Sequence, residues 1–153
     1  MEIERKFLVK EIPEHLNLYH HNQIIQGYIP TKEPGVEKRV RKKGNKYSLT
    51  IKSAGSLVRS EQEIEIPEKR FLSLWKMTEG RRIEKTRYDL PYDGKKIELD
   101  IYSGNLEGLV VAEVEFNSEQ EAESFVVPNW FGEEVTYNNR YRNKNLALKG
   151  RPD

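Results

Sequence analysis

Apolar and polar residues alternate with a period of two along most of the chain, the mark of strands with two unlike faces. In the first stretch Glu2, Glu4 and Lys6 point one way while Ile3, Phe7 and Val9 point the other. Gln26 and Tyr28 alternate with Ile25 and Ile29, and Arg39 and Arg41 flank Val40. Ser48, Thr50 and Lys52 interleave with Tyr47, Leu49 and Ile51; Glu61, Glu63 and Glu65 with Ile64 and Ile66. Lys85 and Arg87 alternate with Thr86 and Tyr88, Glu98 and Asp100 with Ile97, Leu99 and Ile101, and Glu113 and Glu115 with Ala112, Val114 and Phe116. These stretches predict eight strands, and nearly every one carries charge on its polar face.

The connections suit antiparallel neighbours. Lys43-Gly44-Asn45 and Asp93-Gly94 are hairpin turns, and Gly104 to Gly108 joins the last two strands. Helices are few. Pro67 opens one over 68–76 with Phe71, Leu72 and Trp75 on a stripe. Ser118 and Glu121 form a capping box ahead of Ala122 and Phe125, and Thr136 starts a last helix carrying Tyr137, Tyr141 and Leu148. No linker, repeat or low-complexity run interrupts the pattern, so residues 1–153 read as one domain.

A charged sheet face is ordinarily a solvated one. Here, however, like charges recur two residues apart, acid at Glu63/Glu65 and Glu113/Glu115, base at Arg39/Arg41 and Lys85/Arg87. Such neighbours repel on an open sheet. Eight strands suffice to close a barrel, and helices over the apolar side would turn the charges inward. The fold expected is α+β: an eight-stranded antiparallel barrel with a charged interior and a few helices outside. That lining is costly unless a ligand or metal neutralises it.

Composition narrows the chemistry. Lys plus Arg is 26 against 25 for Asp plus Glu, a formal charge of +1, which argues against a generic nucleic-acid binder. Charged residues make up 33% of the chain, so charge is dense although balanced. There are no cysteines, which removes disulfides, thiolate zinc sites and cysteine nucleophiles. No run of roughly 18 apolar residues exists and the N-terminus is no signal peptide, so no membrane role and a cytoplasmic location are expected. Carboxylates two apart on a strand, about 6–7 Å along it, can converge on one hard cation, Mg²⁺ or Mn²⁺. Forked Arg and Lys donors suit phosphate oxygens. A cation site beside basic residues implies a small polyanion with several phosphates and metal-assisted phosphoryl transfer.

Glu2-Ile3-Glu4-Arg5-Lys6 resembles the Glu-x-Glu-x-Lys signature of the CYTH superfamily, the triphosphate tunnel metalloenzymes. Arg-x-Arg at 39–41, Thr-x-Lys at 50–52, Glu-x-Glu at 63–65, Lys-x-Arg at 85–87 and Glu-x-Glu at 113–115 follow in order. The resemblance implies an antiparallel tunnel that binds triphosphate and works with a divalent metal. Carried onto this chain, it makes Glu2, Glu4, Glu113 and Glu115 metal ligands. Asp100 and Glu63 or Glu65 serve a second metal or the attacking water. Lys6, Arg39, Arg41, Lys52, Lys85 and Arg87 bind phosphate. Lys6 and Tyr28 form a catalytic dyad, as in some small bacterial relatives. Asn143, Lys144 and Leu146-Ala147 are similar to the family's closing helix, where Lys144 either caps the tunnel or faces solvent.

The activity so implied is hydrolysis of a triphosphate, foremost inorganic tripolyphosphate. An adenylate cyclase, a thiamine or RNA 5′-triphosphatase and a non-catalytic polyphosphate-binding module are the alternatives; the cyclase would extend the ligand to a nucleoside triphosphate. A homodimer is the protein partnership kept open. Other residues have plainer readings: His20-His21 as a polar loop, Trp75 as core, Trp130-Phe131 as a packing lid, and Arg81-Arg82 as a strand start near the tunnel mouth or surface.

Overall fold

A computed structural model describes residues 3–54 and 59–152. All eight expected strands are present: β1 (Ile3–Val9), β2 (His21–Ile29), β3 (Val36–Lys43), β4 (Lys46–Ala54), β5 (Arg59–Glu65), β6 (Arg82–Tyr92), β7 (Lys95–Ser103) and β8 (Val110–Phe116). A ninth, β9 (Phe131–Glu134), lies outside the sequence expectation, because its four residues Phe-Gly-Glu-Glu carry no alternation. The sheet runs β5-β4-β3-β2-β6-β7-β8-β1-β9, every described pair antiparallel. Among the described residues no ladder joins β5 to β9, so the hydrogen-bonded order is open at those two strands.

The hairpins follow the turn chemistry. Asp93 and Gly94 both have positive φ (48° and 75°) between the paired Tyr92 and Lys95, the backbone that a two-residue hairpin needs. Helices α1 (Glu68–Trp75), α2 (Glu119–Glu123) and α3 (Asn143–Lys149) complete the chain. The Ser118 hydroxyl accepts from the Glu121 backbone N–H at 3.1 Å, as the capping box requires. Thr136 does not begin a helix. A 3-10 turn at Asn139–Tyr141 precedes α3, and Tyr137 is 94% exposed, so the apolar stripe expected there is broken. Among the described residues no helix is long and apolar enough to cross a membrane.

The two sheet faces differ as the period of two requires. One is apolar and covered. Phe7, Leu99, Ala112, Val114 and Phe116 pack with Ala122 of α2, while Val40, Leu49 and Ile66 pack with Phe71 of α1. Arg5 ties β1 to this cover, forking onto Glu134 at 2.7 and 3.0 Å and donating to the Ala122 carbonyl at 2.8 Å. The other face carries the charges, but only over part of its length. Toward one end it becomes apolar, where Ile83, Tyr102, Leu106, Leu109 and Val111 are stoppered by Leu146 of α3.

The β2 wall depends on one glycine. A Cβ on Gly27 would sit 2.6 Å from Thr78 Oγ1, and Thr78 is fully buried, held by the Trp75 carbonyl and Arg82. Gly27→Ala is therefore expected to cost about 1–3 kcal/mol, the usual range for overpacking. Thermal denaturation checks this, and an unchanged melting temperature would show that the wall gives way freely.

Candidate active site

Asp100 is the hub of the charged face. Its Oδ2 accepts from Lys85 Nζ at 2.8 Å and from Arg87 Nη2 at 2.9 Å, and its Oδ1 accepts from Arg87 Nε at 2.8 Å. Register explains the meeting: Arg87 lies directly opposite Asp100, and Lys85 opposite Tyr102, two residues further on. Burial alone would raise the Asp100 pKa, but the Lys85 charge and the Arg87 hydrogen bonds outweigh it and hold the carboxyl down at about 2. Lys85 is likewise buried, which lowers its pKa, with Asp100 opposing the shift. Both Asp100 oxygens thus face cations, so the residue orients Lys85 and Arg87.

The neighbouring strands carry acid. Glu4 pairs with Glu115 across β1 and β8, Lys6 with Glu113, and Glu98 of β7 with Glu113 from the other side. Glu4 is hydrogen-bonded to Glu113, and burial, then the charge of Glu113, push its pKa up to about 7. Two carboxylates sharing a proton in this way hold a place that a dication can take. The donor set is all oxygen, which fits a hard ion such as Mg²⁺ or Mn²⁺. Among the described residues no group of three or more acids or histidines already stands in metal-holding arrangement. Glu2, the further expected ligand, lies outside the described residues.

The basic wall continues on β3 and β4. Arg41 reaches Glu63 of β5 at 3.8 Å, and Lys52 lies 4.0 Å from Glu37 and 3.8 Å from Glu61. Arg39 makes a long bond to Thr50 at 3.5 Å and is hydrogen-bonded to Tyr28, while among the described residues its buried Nε has no partner. These pairs are long, so the basic groups are loosely committed to the protein's own acids. Burial, then the nearby Arg39, lower the Arg41 pKa, which marks a cation short of counter-charge.

Lys6 and Tyr28 are not bonded to each other. Lys6 Nζ pairs with Glu113 at 3.5 Å and donates to the Tyr141 carbonyl at 3.2 Å, while Tyr28 Oη accepts from Gln26 Nε2 at 2.8 Å. Sequence reasoning assigned no role to Gln26 or to Glu98, which accepts from Arg87 Nη1 at 3.3 Å. The only sequence signal for either is its place in a strand two residues from a named candidate. Lys144 reaches Glu37 at 3.8 Å, so it faces the charged wall from α3. Elsewhere His20 pairs with Asp89 at 3.0 Å and His21 with the Tyr19 carbonyl, as a polar loop does. Trp75 stacks on Phe71 with Arg82 over its ring, and Trp130 meets Phe131 edge-on.

The family model for the CYTH domain matches residues 1–148. The chain belongs to the CYTH family. This CYTH protein is 50% identical over 149 residues to the inorganic triphosphatase of Nitrosomonas europaea, covering 96% of this chain and 97% of that one. It is 38% identical to the inorganic triphosphatase of Acetivibrio thermocellus, covering 95% of this chain and 92% of the relative. Its structure is similar to that solved for the inorganic triphosphatase NE1496, with a TM-score of 0.81 at 47% identity over 97% and 95% of the two chains. The nine-stranded sheet is thus the CYTH tunnel fold, and its charged face is the tunnel lining.

Proposed function

We propose that this CYTH protein, working as one domain, is a divalent-metal-dependent hydrolase of inorganic tripolyphosphate in the cytoplasm. The observation that carries the reading is the division of one lining into an acidic and a basic wall, where the buried Arg39 Nε has no partner among the described residues. Two relatives named inorganic triphosphatase, matched over nearly their full length, support the choice of substrate.

Arg39, Arg41, Lys52, Lys85 and Arg87 bind the phosphate oxygens, and Asp100 holds the last two in place. Bringing in the polyanion replaces the loose contacts of Arg41 and Lys52 with charge-assisted bonds. Glu4, Glu113 and Glu115, with Glu2, hold the metal, Mg²⁺ or Mn²⁺. A bound dication there neutralises phosphate charge and acidifies a water. Lys6, Tyr28 and Glu63 are the groups placed to touch the reacting phosphoryl group or the water. Water attacks the terminal phosphorus, its bond to the bridging oxygen breaks, and orthophosphate and pyrophosphate leave.

Orthophosphate release from tripolyphosphate tests the proposal. Release with Mg²⁺ or Mn²⁺ is expected, and excess EDTA is expected to abolish it. No release from protein shown to be folded would overturn the hydrolase, and cyclic AMP made from ATP would replace it with a cyclase.

A further inference from the structure

Tyr28 is 3% exposed and Gln26 1%, and both project from β2 onto the charged lining. Register places Tyr28 opposite Arg39 and Gln26 opposite Arg41 on β3. Gln26 Nε2 donates to Tyr28 Oη at 2.8 Å. A phenol has one proton to give and lone pairs to receive. Because Gln26, together with a hydrogen bond from the Arg39 guanidinium, fills the receiving side, the Tyr28 proton must go to another acceptor, and among the described residues no protein group takes it. Across the strand pair the buried Nε–H of Arg39 is equally unspent. Two buried donors without acceptors thus lie side by side on a basic wall, where each costs stability unless an anion arrives.

We infer that Gln26 is a positioning residue which, by donating to Tyr28 Oη, turns the phenol into a hydrogen-bond donor aimed with Arg39 Nε at one phosphate oxygen of the bound triphosphate. This deepens the proposed function and rests on its assignment of the lining as a polyphosphate site. It separates Tyr28 from Lys6, whose ammonium is engaged by Glu113 and the Tyr141 carbonyl. A carboxamide suits the task where a carboxylate would not. Glutamate at this position would accept the phenolic proton and withdraw it from the ligand, and its charge would repel phosphate.

A double-mutant cycle on tripolyphosphate binding tests the inference, with affinity read by calorimetry in EDTA so that turnover plays no part. Gln26→Met keeps the length of the side chain and removes its donor. In the wild-type background it is expected to weaken binding roughly tenfold, about the worth of one well-made hydrogen bond to an anion. In the Tyr28→Phe background the same change is expected to cost less than about twofold, since Gln26 then has nothing to orient. Gln26→Glu, matched in shape, provides a second cycle should Gln26→Met fail to fold, and its loss is expected to be larger with Tyr28 present than with Tyr28→Phe. Equal losses in both backgrounds would overturn the positioning role, as would unchanged affinity in Gln26→Met. Protein that binds tripolyphosphate but releases no orthophosphate with Mg²⁺ would remove the proposed activity and leave the cycle readable. Protein that does not bind it at all would overturn the inference.

Discussion

Asp100→Ala is expected to cost about 3–5 kcal/mol of folding stability, the usual consequence of leaving a buried charge without its partner. Here two cations are stranded. Lys85 is 2% exposed and, among the described residues, has Asp100 as its only close carboxylate partner, at 2.8 Å, while Arg87 retains Glu98 alone, at 3.3 Å. Asp100→Asn keeps one acceptor oxygen and is expected to lose less. The effect also has a pH signature. The ordinary value of 3.8 falls to about 2 in the folded protein, so between these values the unfolded chain binds the proton more readily. The stability that Asp100 contributes is therefore complete above about pH 4 and disappears as the pH falls through about 2. Urea unfolding at pH 7 and then between pH 4 and 2 checks both parts. A variant as stable as wild type, or one with the same acid limb, would show that Lys85 and Arg87 find other partners. The prediction is independent of the reaction, since it concerns how the basic wall is held before any phosphate arrives.

The strands were legible because each has one apolar and one charged face, and that contrast survives any detail of register. β9 was not, because Phe131 is its only buried residue and the strand leans on β1 through a bulge between Phe7 and Val9. The last helix starts at Asn143 instead of Thr136 for a related reason. The segment 136–142 is held by side-chain bonds, Thr136 to Lys6 and Asn138 to Arg140, rather than by a periodic apolar face. Within the site, charge type identified the walls but not the partners. Asp100 and Glu113 look alike in sequence, each alternating with aliphatic residues. Register alone sets one against Arg87 and the other between Lys6 and Glu98. The pairing of Lys6 with Tyr28 came from the family resemblance alone, and three strands, β6, β7 and β8, separate β2 from β1 in the sheet order. Gln26 escaped notice because an uncharged residue on a charged face reads as filler until its amide is seen on the phenol.

Glu4→Gln and Glu113→Gln are expected to abolish tripolyphosphate hydrolysis while leaving the metal-free protein at least as stable as wild type. The two effects run in opposite directions because these acids stand in one another's field. Glu4 is bonded to Glu113 and feels Glu115, and Lys6 at 3.5 Å is the nearest cation to Glu113. Neutralising either member removes a like-charge contact, worth no more than about 1 kcal/mol at a partly solvated site. A structural acid behaves in the contrary way, as Asp100 does, where the carboxylate satisfies cations and its loss destabilises. Activity should fall by more than the roughly 10–100-fold typical of outer partners of a metal site, because a direct ligand is removed. The same variants should lose the rise in melting temperature that Mg²⁺ or Mn²⁺ gives wild type, since that rise measures preferential binding to the folded state. Thermal melts with EDTA and with metal, set beside phosphate release, give all the readings on one preparation. Variants that are destabilised in EDTA yet still hydrolyse tripolyphosphate would make Glu4 and Glu113 structural acids and move the metal elsewhere in the tunnel. Variants that are stable, inactive and indifferent to metal would place the ion on the acidic wall, facing the phosphates held by the basic one.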